Sequence, residues 1–116
     1  MLARGLFVRT NFDGARLAST NISEASFENA SFRQTELSDL IIELRTSFRN
    51  CHFEDTTIRD FSASDMQFEN TRFNRVAIRD VSLESSQWIQ CTLEHCSFDK
   101  ADINESSLQD IVISNS

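Results

Sequence analysis

Large apolar residues recur at every fifth position of this chain, and this period constrains the fold more than any other feature. Counted from Phe7, and allowing one single-residue slip near Ile42 to Ser47, 21 of 22 such positions hold a large apolar side chain. An amphipathic helix has a period near 3.6 and a half-buried strand a period of two, so neither explains the pattern. A short repeat of this regularity predicts a solenoid in which each repeat packs on its neighbours.

Each repeat also has a compact position two residues before its central one. The compact residues there are Ala15, Thr20, Ala25, Ala30, Thr35, Thr46, Cys51, Thr56, Thr71, Cys91, Cys96 and Ala101. The other three places of the repeat are mostly polar, so two side chains are expected to point inward and three outward. We therefore expect one core and a single domain that spans residues 1–116.

A second period of twenty residues lies on top of the first. The central positions fall into four columns: Phe7, Phe27, Phe48, Phe68 and Trp88; Phe12, Phe32, Phe53 and Phe73; Leu17, Leu37, Ile58 and Ile78; and Ile22, Ile42, Leu83 and Ile103. If four repeats make one turn, residues twenty apart stack at about 4.8 Å, which suits offset aromatic rings. Nine of the ten phenylalanines are central, which indicates core packing and not an aromatic ligand site.

Phe61 is the one phenylalanine outside the central positions. It occupies a usually compact position, and its neighbour Ala63 is the one central residue that is not large. A filled core tolerates an exchange of volume better than an addition, so the pair predicts that Phe61 fills the space that Ala63 leaves.

The repeats TNFDG, ARLAS, TNISE, ASFEN, ASFRQ, CHFED, CSFDK and ADINE resemble the pentapeptide-repeat family, whose loose motif is A(D/N)LXX. The resemblance covers nearly the whole chain. It implies an all-β fold, a right-handed quadrilateral β-helix with four pentapeptides per coil and about five and a half coils. The phenylalanine-rich centre is also similar to the bacterial subgroup that protects DNA gyrase from quinolones by mimicking DNA.

Catalysis is not expected, because the polar residues follow the repeat and do not converge. His52 and His95 fall on the second of the four predicted faces, in coils that are two turns apart. A histidine base paired with a cysteine or serine nucleophile and a third orienting group is therefore not visible in the pattern. Cys51 and Cys91 are also two coils, about 10 Å, apart, too far for a disulfide or for a shared metal ion. The sequence predicts buried free cysteines, no enzyme activity and no cofactor.

The overall charge bears on the class of partner. Eighteen acidic residues against eleven Lys and Arg give a net charge of −7, which disfavours nucleic acid and anionic membranes and favours a basic protein surface. No apolar stretch approaches a membrane span or a signal-peptide core, so we expect a cytoplasmic protein.

Most of this charge falls on one predicted face. The fourth face comprises residues 20–24, 40–44, 61–65, 81–85 and 101–105, which contain no Lys or Arg. Its carboxylates are Glu24, Glu43, Asp65, Glu84, Asp102 and Glu105. One interpretation is a partner-binding strip that mimics a nucleic-acid backbone, and the other is a solvated face that aids solubility. The strip spans about 20 Å, which corresponds to about six phosphates of one DNA strand.

The two ends of the predicted solenoid carry apolar residues. Leu6 and Val8 are in outward positions near the start, and Ile111, Val112 and Ile113 close the repeat. An uncapped solenoid exposes apolar surface and unpaired strand edges at its ends. We expect these residues to form an end-to-end contact in a homodimer, or to be covered by the next element of a longer chain.

Three functions follow from the sequence. The first is a non-catalytic binding or scaffold module that presents flat faces to a protein partner. The second is a DNA-mimicking inhibitor or protector of DNA gyrase or topoisomerase. The third is the repeat portion of a larger bacterial secreted effector.

Overall fold

The computed structural model describes residues 4–42, 45–102 and 106–114, and these residues form short parallel strands joined by tight corners. The strands are β1 (Leu6–Val8), β2 (Arg16–Ala18), β3 (Ser26–Glu28), β4 (Ser31–Arg33), β5 (Glu36–Ser38), β6 (Ser47–Arg49), β7 (His52–Glu54), β8 (Thr57–Ser64), β9 (Gln67–Glu69), β10 (Arg72–Asn74), β11 (Ala77–Glu84), β12 (Gln87–Ile89), β13 (Thr92–Glu94), β14 (Ser97–Asp102), β15 (Ser107–Gln109) and β16 (Val112–Ser114). Within the described ranges, no helix could cross a membrane.

The strands stack into three parallel sheets around a four-sided coil. The first face has the strand order β1-β3-β6-β9-β12-β15, and the second has β4-β7-β10-β13-β16. The third sheet has the order β2-β5-β8-β11-β14, and its eight-residue strands β8 and β11 continue around a corner onto the fourth face. The fold is therefore an all-β quadrilateral solenoid of about five turns, as the sequence predicted.

The backbone register confirms both predicted periods and the slip. Phe53 pairs with Phe73, twenty residues later, whereas Phe27 pairs with Phe48, twenty-one residues later. Asn21 still pairs with Ile41 at a separation of twenty. The extra residue therefore lies between Ile41 and Ser47, and part of this segment, residues 43–44, falls outside the described residues.

Stacked aromatic rings form two ladders inside the first and second faces. The Phe27 and Phe48 ring centroids are 4.8 Å apart with an interplanar angle of 7°, and those of Phe32 and Phe53 are 4.7 Å apart at 5°. Rings from different ladders meet edge to face, as Phe27 and Phe32 do at 5.7 Å. Both geometries suit the aromatic quadrupole and add about 0.5–1.5 kcal/mol per pair beyond area burial.

The exchange between Phe61 and Ala63 is confirmed. Both side chains are buried, and Phe61 lies in register with Val81 while Ala63 lies in register with Leu83. Phe61 lines a core void of only about 20 Å³, so its ring occupies the interior in place of the missing central side chain.

The compact inward position supplies hydrogen bonds to the coil before it. Thr56 Oγ1 donates to the Phe32 carbonyl oxygen at 2.7 Å, and Cys51 Sγ lies 3.4 Å from the Phe27 carbonyl oxygen. Cys51, Cys91 and Cys96 are buried, and none forms a disulfide with a described residue, which confirms the burial predicted for Cys51 and Cys91. Burial raises the pKa of the Cys51 thiol to about 11, so this thiol is protonated at neutral pH and fits a structural role.

Each corner of the coil depends on a residue in the left-handed backbone region. Nineteen non-glycine residues of the described ranges have φ between 50° and 61°, and they recur two positions after the central residue of a repeat. The left-handed region costs an ordinary residue about 1–2 kcal/mol and costs Asn and Asp less. The fold therefore requires a locally unfavourable backbone conformation at every turn.

Gln90 tests this requirement, because it is an exposed corner residue with φ of 53°. We predict that Gln90→Gly stabilises the fold by up to about 1 kcal/mol and that Gln90→Val destabilises it by more than 1 kcal/mol, since a β-branched side chain clashes at positive φ. The measurement is the free energy of unfolding in urea.

Gln87 provides the matched control, because it is exposed in the middle of the same coil but lies in strand β12. At Gln87 the order of stability should reverse, so that Gln87→Val is tolerated and Gln87→Gly destabilises the fold. The same order at both positions would contradict the corner assignment.

Candidate partner-binding face

The fourth face is built from the ends of the long strands and from two shorter segments that precede them in the chain, within residues 20–24 and 40–42. The final residues of β8, β11 and β14 lie on this face, and an isolated bridge between Asn21 and Ile41 extends it toward the first coil. Ser62 and Ser82 are in register on its outer surface. Together with Ile42, Ala63 and Glu84 they line an open depression.

The structure places four of the six predicted carboxylates on or beside this face. Glu24 and Asp65 are exposed corner residues with φ of 59° and 58°. Glu84 is exposed at the end of β11, and Asp102 is half-buried at the end of β14.

The other two predicted carboxylates, Glu43 and Glu105, lie outside the described residues.

The register separates the acidic side chains along the face. Glu84 pairs with Ser64, and Asp102 pairs with Ser82. Serine therefore lies next to each of these acids in the coil before it. Staggering of this kind lowers the repulsion that a single column of carboxylates would experience.

Two arginines approach the face, and the sequence analysis did not place them there. Arg4 belongs to the coil before the segments that define the face, and its Nε lies 3.2 Å from Oε2 of Glu24. Arg45 lies within the slip segment and lines the same small surface depression as Asp65. The face is thus not free of cations at its N-terminal half. Asp65 and Glu84, by contrast, form no ion pair with any described residue.

Several acids on the second and third faces are bound to arginine. Arg59 Nη2 lies 2.7 Å from Glu36 Oε1, and this hydrogen bond holds the pKa of Glu36 below its ordinary value. Arg75 Nε lies 2.6 Å from Asp55 Oδ1 and lowers the pKa of Asp55 in the same way. The Arg75–Asp55 pair is exposed and the Arg59–Glu36 pair is half-buried, so both remain in contact with solvent; they contribute little to stability but neutralise the surface locally.

Asp13, Ser31 and His52 are neighbours on the second face, where hydrogen bonding and burial shift two pKa values. Ser31 Oγ donates to Asp13 Oδ1 at 2.6 Å, and this bond lowers the pKa of Asp13. Burial lowers the pKa of His52, whose Nε2 is 3.9 Å from Glu54 Oε1. Among the described residues, no three His, Cys, Asp or Glu side chains are placed to hold a metal ion.

The predicted end-contact residues lie at the C-terminal end of the stack. Ile111 is half-buried and packs against the core, whereas Val112 and Ile113 on β16 are 59% and 58% exposed. Leu6 and Val8 are exposed at the opposite end. The sequence thus located the apolar ends correctly. It did not reveal the depression lined by Ser62 and Ser82, although the small central residue Ala63 could have indicated it.

Two family models match this chain, and both describe pentapeptide repeats. A family model for pentapeptide repeats in eight copies matches residues 6–41, and a model for a pentapeptide repeat region matches residues 44–108. No curated protein matches the chain.

Among solved structures, a trypsin-treated variant of QnrB1, a plasmid-mediated fluoroquinolone resistance protein, is 18% identical with a TM-score of 0.49, covering 97% of this chain and 83% of that one. The pentapeptide repeat protein Rfr23 from the cyanobacterium Cyanothece 51142 is 18% identical with a TM-score of 0.37, covering 97% and 89%. At this identity the likeness is one of fold alone.

Proposed function

Because the chain belongs to the pentapeptide-repeat family, we propose that it is a non-catalytic binding module whose fourth face receives a basic protein partner. The observation that carries this proposal is that two acids of the fourth face, in successive coils, are exposed without an arginine partner among the described residues. Asp65 and Glu84 form no ion pair with a described residue, whereas Glu36 and Asp55 are bound to arginine. A partner that supplies Lys or Arg at the fourth face therefore gains charge pairs without displacing existing ones.

The shape of the face supports the same role. Its strands are held by parallel pairing to the coils on either side, so little conformational freedom is lost when a partner docks. Ser62 and Ser82 offer hydroxyl groups that donate and accept hydrogen bonds, and Glu84 lies at the edge of the depression they line.

Charge reversal tests this proposal. We predict that the double variant Asp65→Lys and Glu84→Lys retains about tenfold less partner from a bacterial lysate than the wild-type chain does. The reason is that lysines of the variant then face Lys or Arg of the partner. Binding of the wild type should also weaken as salt rises from about 0.05 to 0.5 M.

The control is the double variant Glu28→Lys and Asp99→Lys, which makes the same change in net charge on the first and third faces. It should retain the partner as the wild type does. Equal retention by both double variants would contradict a role for the fourth face.

A second proposed function is the inhibition or protection of DNA gyrase or topoisomerase by mimicry of DNA. The row of exposed carboxylates favours it, whereas Arg4 beside Glu24 and Arg45 beside Asp65 reduce the acidic character of the N-terminal half. One acid per coil is also a lower density than one charge per 3.4 Å of a DNA strand. In this version the chain binds the enzyme and makes no contact with nucleic acid or membrane.

A gyrase supercoiling assay tests the second function. If it is correct, the wild-type chain changes supercoiling or its inhibition by a quinolone at about 10–50 μM, a range that reveals a micromolar dissociation constant. Reversal of Glu24, Asp65, Glu84 and Glu105 to Lys should abolish the effect. An inactive wild type over this range would remove gyrase as the partner.

The proposal also covers where the chain acts and whether it associates with itself. The chain is proposed to act in the cytoplasm, or alternatively as the repeat portion of a larger bacterial secreted effector. Ile111, Val112 and Ile113 are proposed to join copies of the chain end to end, on the ground that two of the three are exposed at the last coil.

A further inference from the structure

Both described ends of the solenoid expose apolar side chains beside free strand edges. Among the described strands, β1 pairs only with β3 and carries Leu6, which is 68% exposed, and β15 pairs only with β12 and carries Leu108, which is 52% exposed. Val112 and Ile113 are exposed on β16, whose one partner among the described strands is β13. Each end therefore offers apolar surface together with unsatisfied backbone groups, which is the chemistry of strand addition.

The two ends carry opposite charge. Residues 4–20 contain three arginines, Arg4, Arg9 and Arg16, and one acid, Asp13. The described residues between 96 and 114 contain three acids, Asp99, Asp102 and Asp110, and one cation, Lys100. A two-fold dimer would bring ends of like sign together, whereas a head-to-tail contact brings opposite signs together.

The register identifies the charge pair that a head-to-tail contact would form. Asp110 and Arg9 are both left-handed corner residues, and each follows the outermost strand of the first sheet, β15 or β1. If β1 of one copy continues the sheet at the free edge of β15 of another, Phe7 stacks on Leu108 and Arg9 lies one coil above Asp110.

The same arrangement already exists within the chain. Asp55 and Arg75 are corner residues one coil apart, and two hydrogen bonds of 2.6 and 3.1 Å join them. Arg9 and Asp110 form no ion pair with a described residue, so both are available for such a contact.

We propose that copies of this chain associate head to tail, with β1 of one copy added to β15 of the next and with Arg9 paired to Asp110. This inference rests on the proposed end-to-end association and gives it a polarity. Because the contact joins two different surfaces, it does not close on itself, and each added copy exposes the same pair of ends again. The expected species are a series of stacks and not a closed dimer.

Sedimentation velocity of the 116-residue chain over about 5–200 μM tests the proposal, since the average mass should rise steadily without a plateau at two chains. Arg9→Asp alone and Asp110→Arg alone should each weaken association by about tenfold or more, because the contact then joins like charges. An equimolar mixture of the two variants should associate again, as should the double variant.

Arg79→Asp is the matched control, because Arg79 is exposed in the middle of the stack and forms no ion pair with a described residue. It should associate as the wild type does, and circular dichroism should show that every variant is folded. A wild type that stays monomeric, a mass that stops at two chains, or single variants whose mixture does not recover would each overturn the proposal.

Failure of the head-to-tail contact is distinguishable from failure of the proposed function. Neither Arg9 nor Asp110 lies on the fourth face, so Arg9→Asp should retain the partner that Asp65→Lys with Glu84→Lys loses.

Discussion

Parallel backbone pairing between successive coils is the interaction on which the rest of this structure depends. It fixes the neighbours of each residue at a separation of twenty, or twenty-one across the slip, as Phe53 with Phe73 and Phe27 with Phe48 show. Apart from the one-residue slip, every coil must then have the same length and turn at the same four places. The left-handed corners follow from this demand, and the stacked aromatic ladders supply part of the free energy that offsets their cost.

The interior could be predicted from the sequence because each inward position repeats its side-chain volume. The columns, the slip and the exchange between Phe61 and Ala63 all follow from size at a fixed spacing. The corner conformation could not be read in the same way, because residues as different as Arg75 and Gln90 adopt it. Its cause is the backbone turn and not the side chain.

The candidate site was predictable only in part. The spacing located Asp65 and Glu84 on one face, but Arg4 lies before the first segment of that face and Arg45 lies in the slip, where the repeat gives no position. The depression that the described residues form at this surface is open to solvent, so binding there depends on which charges remain unpaired on the outside. Arginine neutralises Glu36 and Asp55, whereas Asp65 and Glu84 form no ion pair with a described residue, so these surfaces differ chemically although their backbones are alike.

The most direct test of the coil register is an engineered disulfide between corner residues one coil apart. Asn70 Nδ2 lies 2.6 Å from Asn50 Oδ1, and the coil spacing of about 4.8 Å falls within the Cα separation that a disulfide accepts. Asn50→Cys with Asn70→Cys should oxidise readily in air, whereas Asn50→Cys with Arg72→Cys should not, and the buried native thiols should not compete. Equal oxidation of both pairs, or of the second alone, would contradict the account.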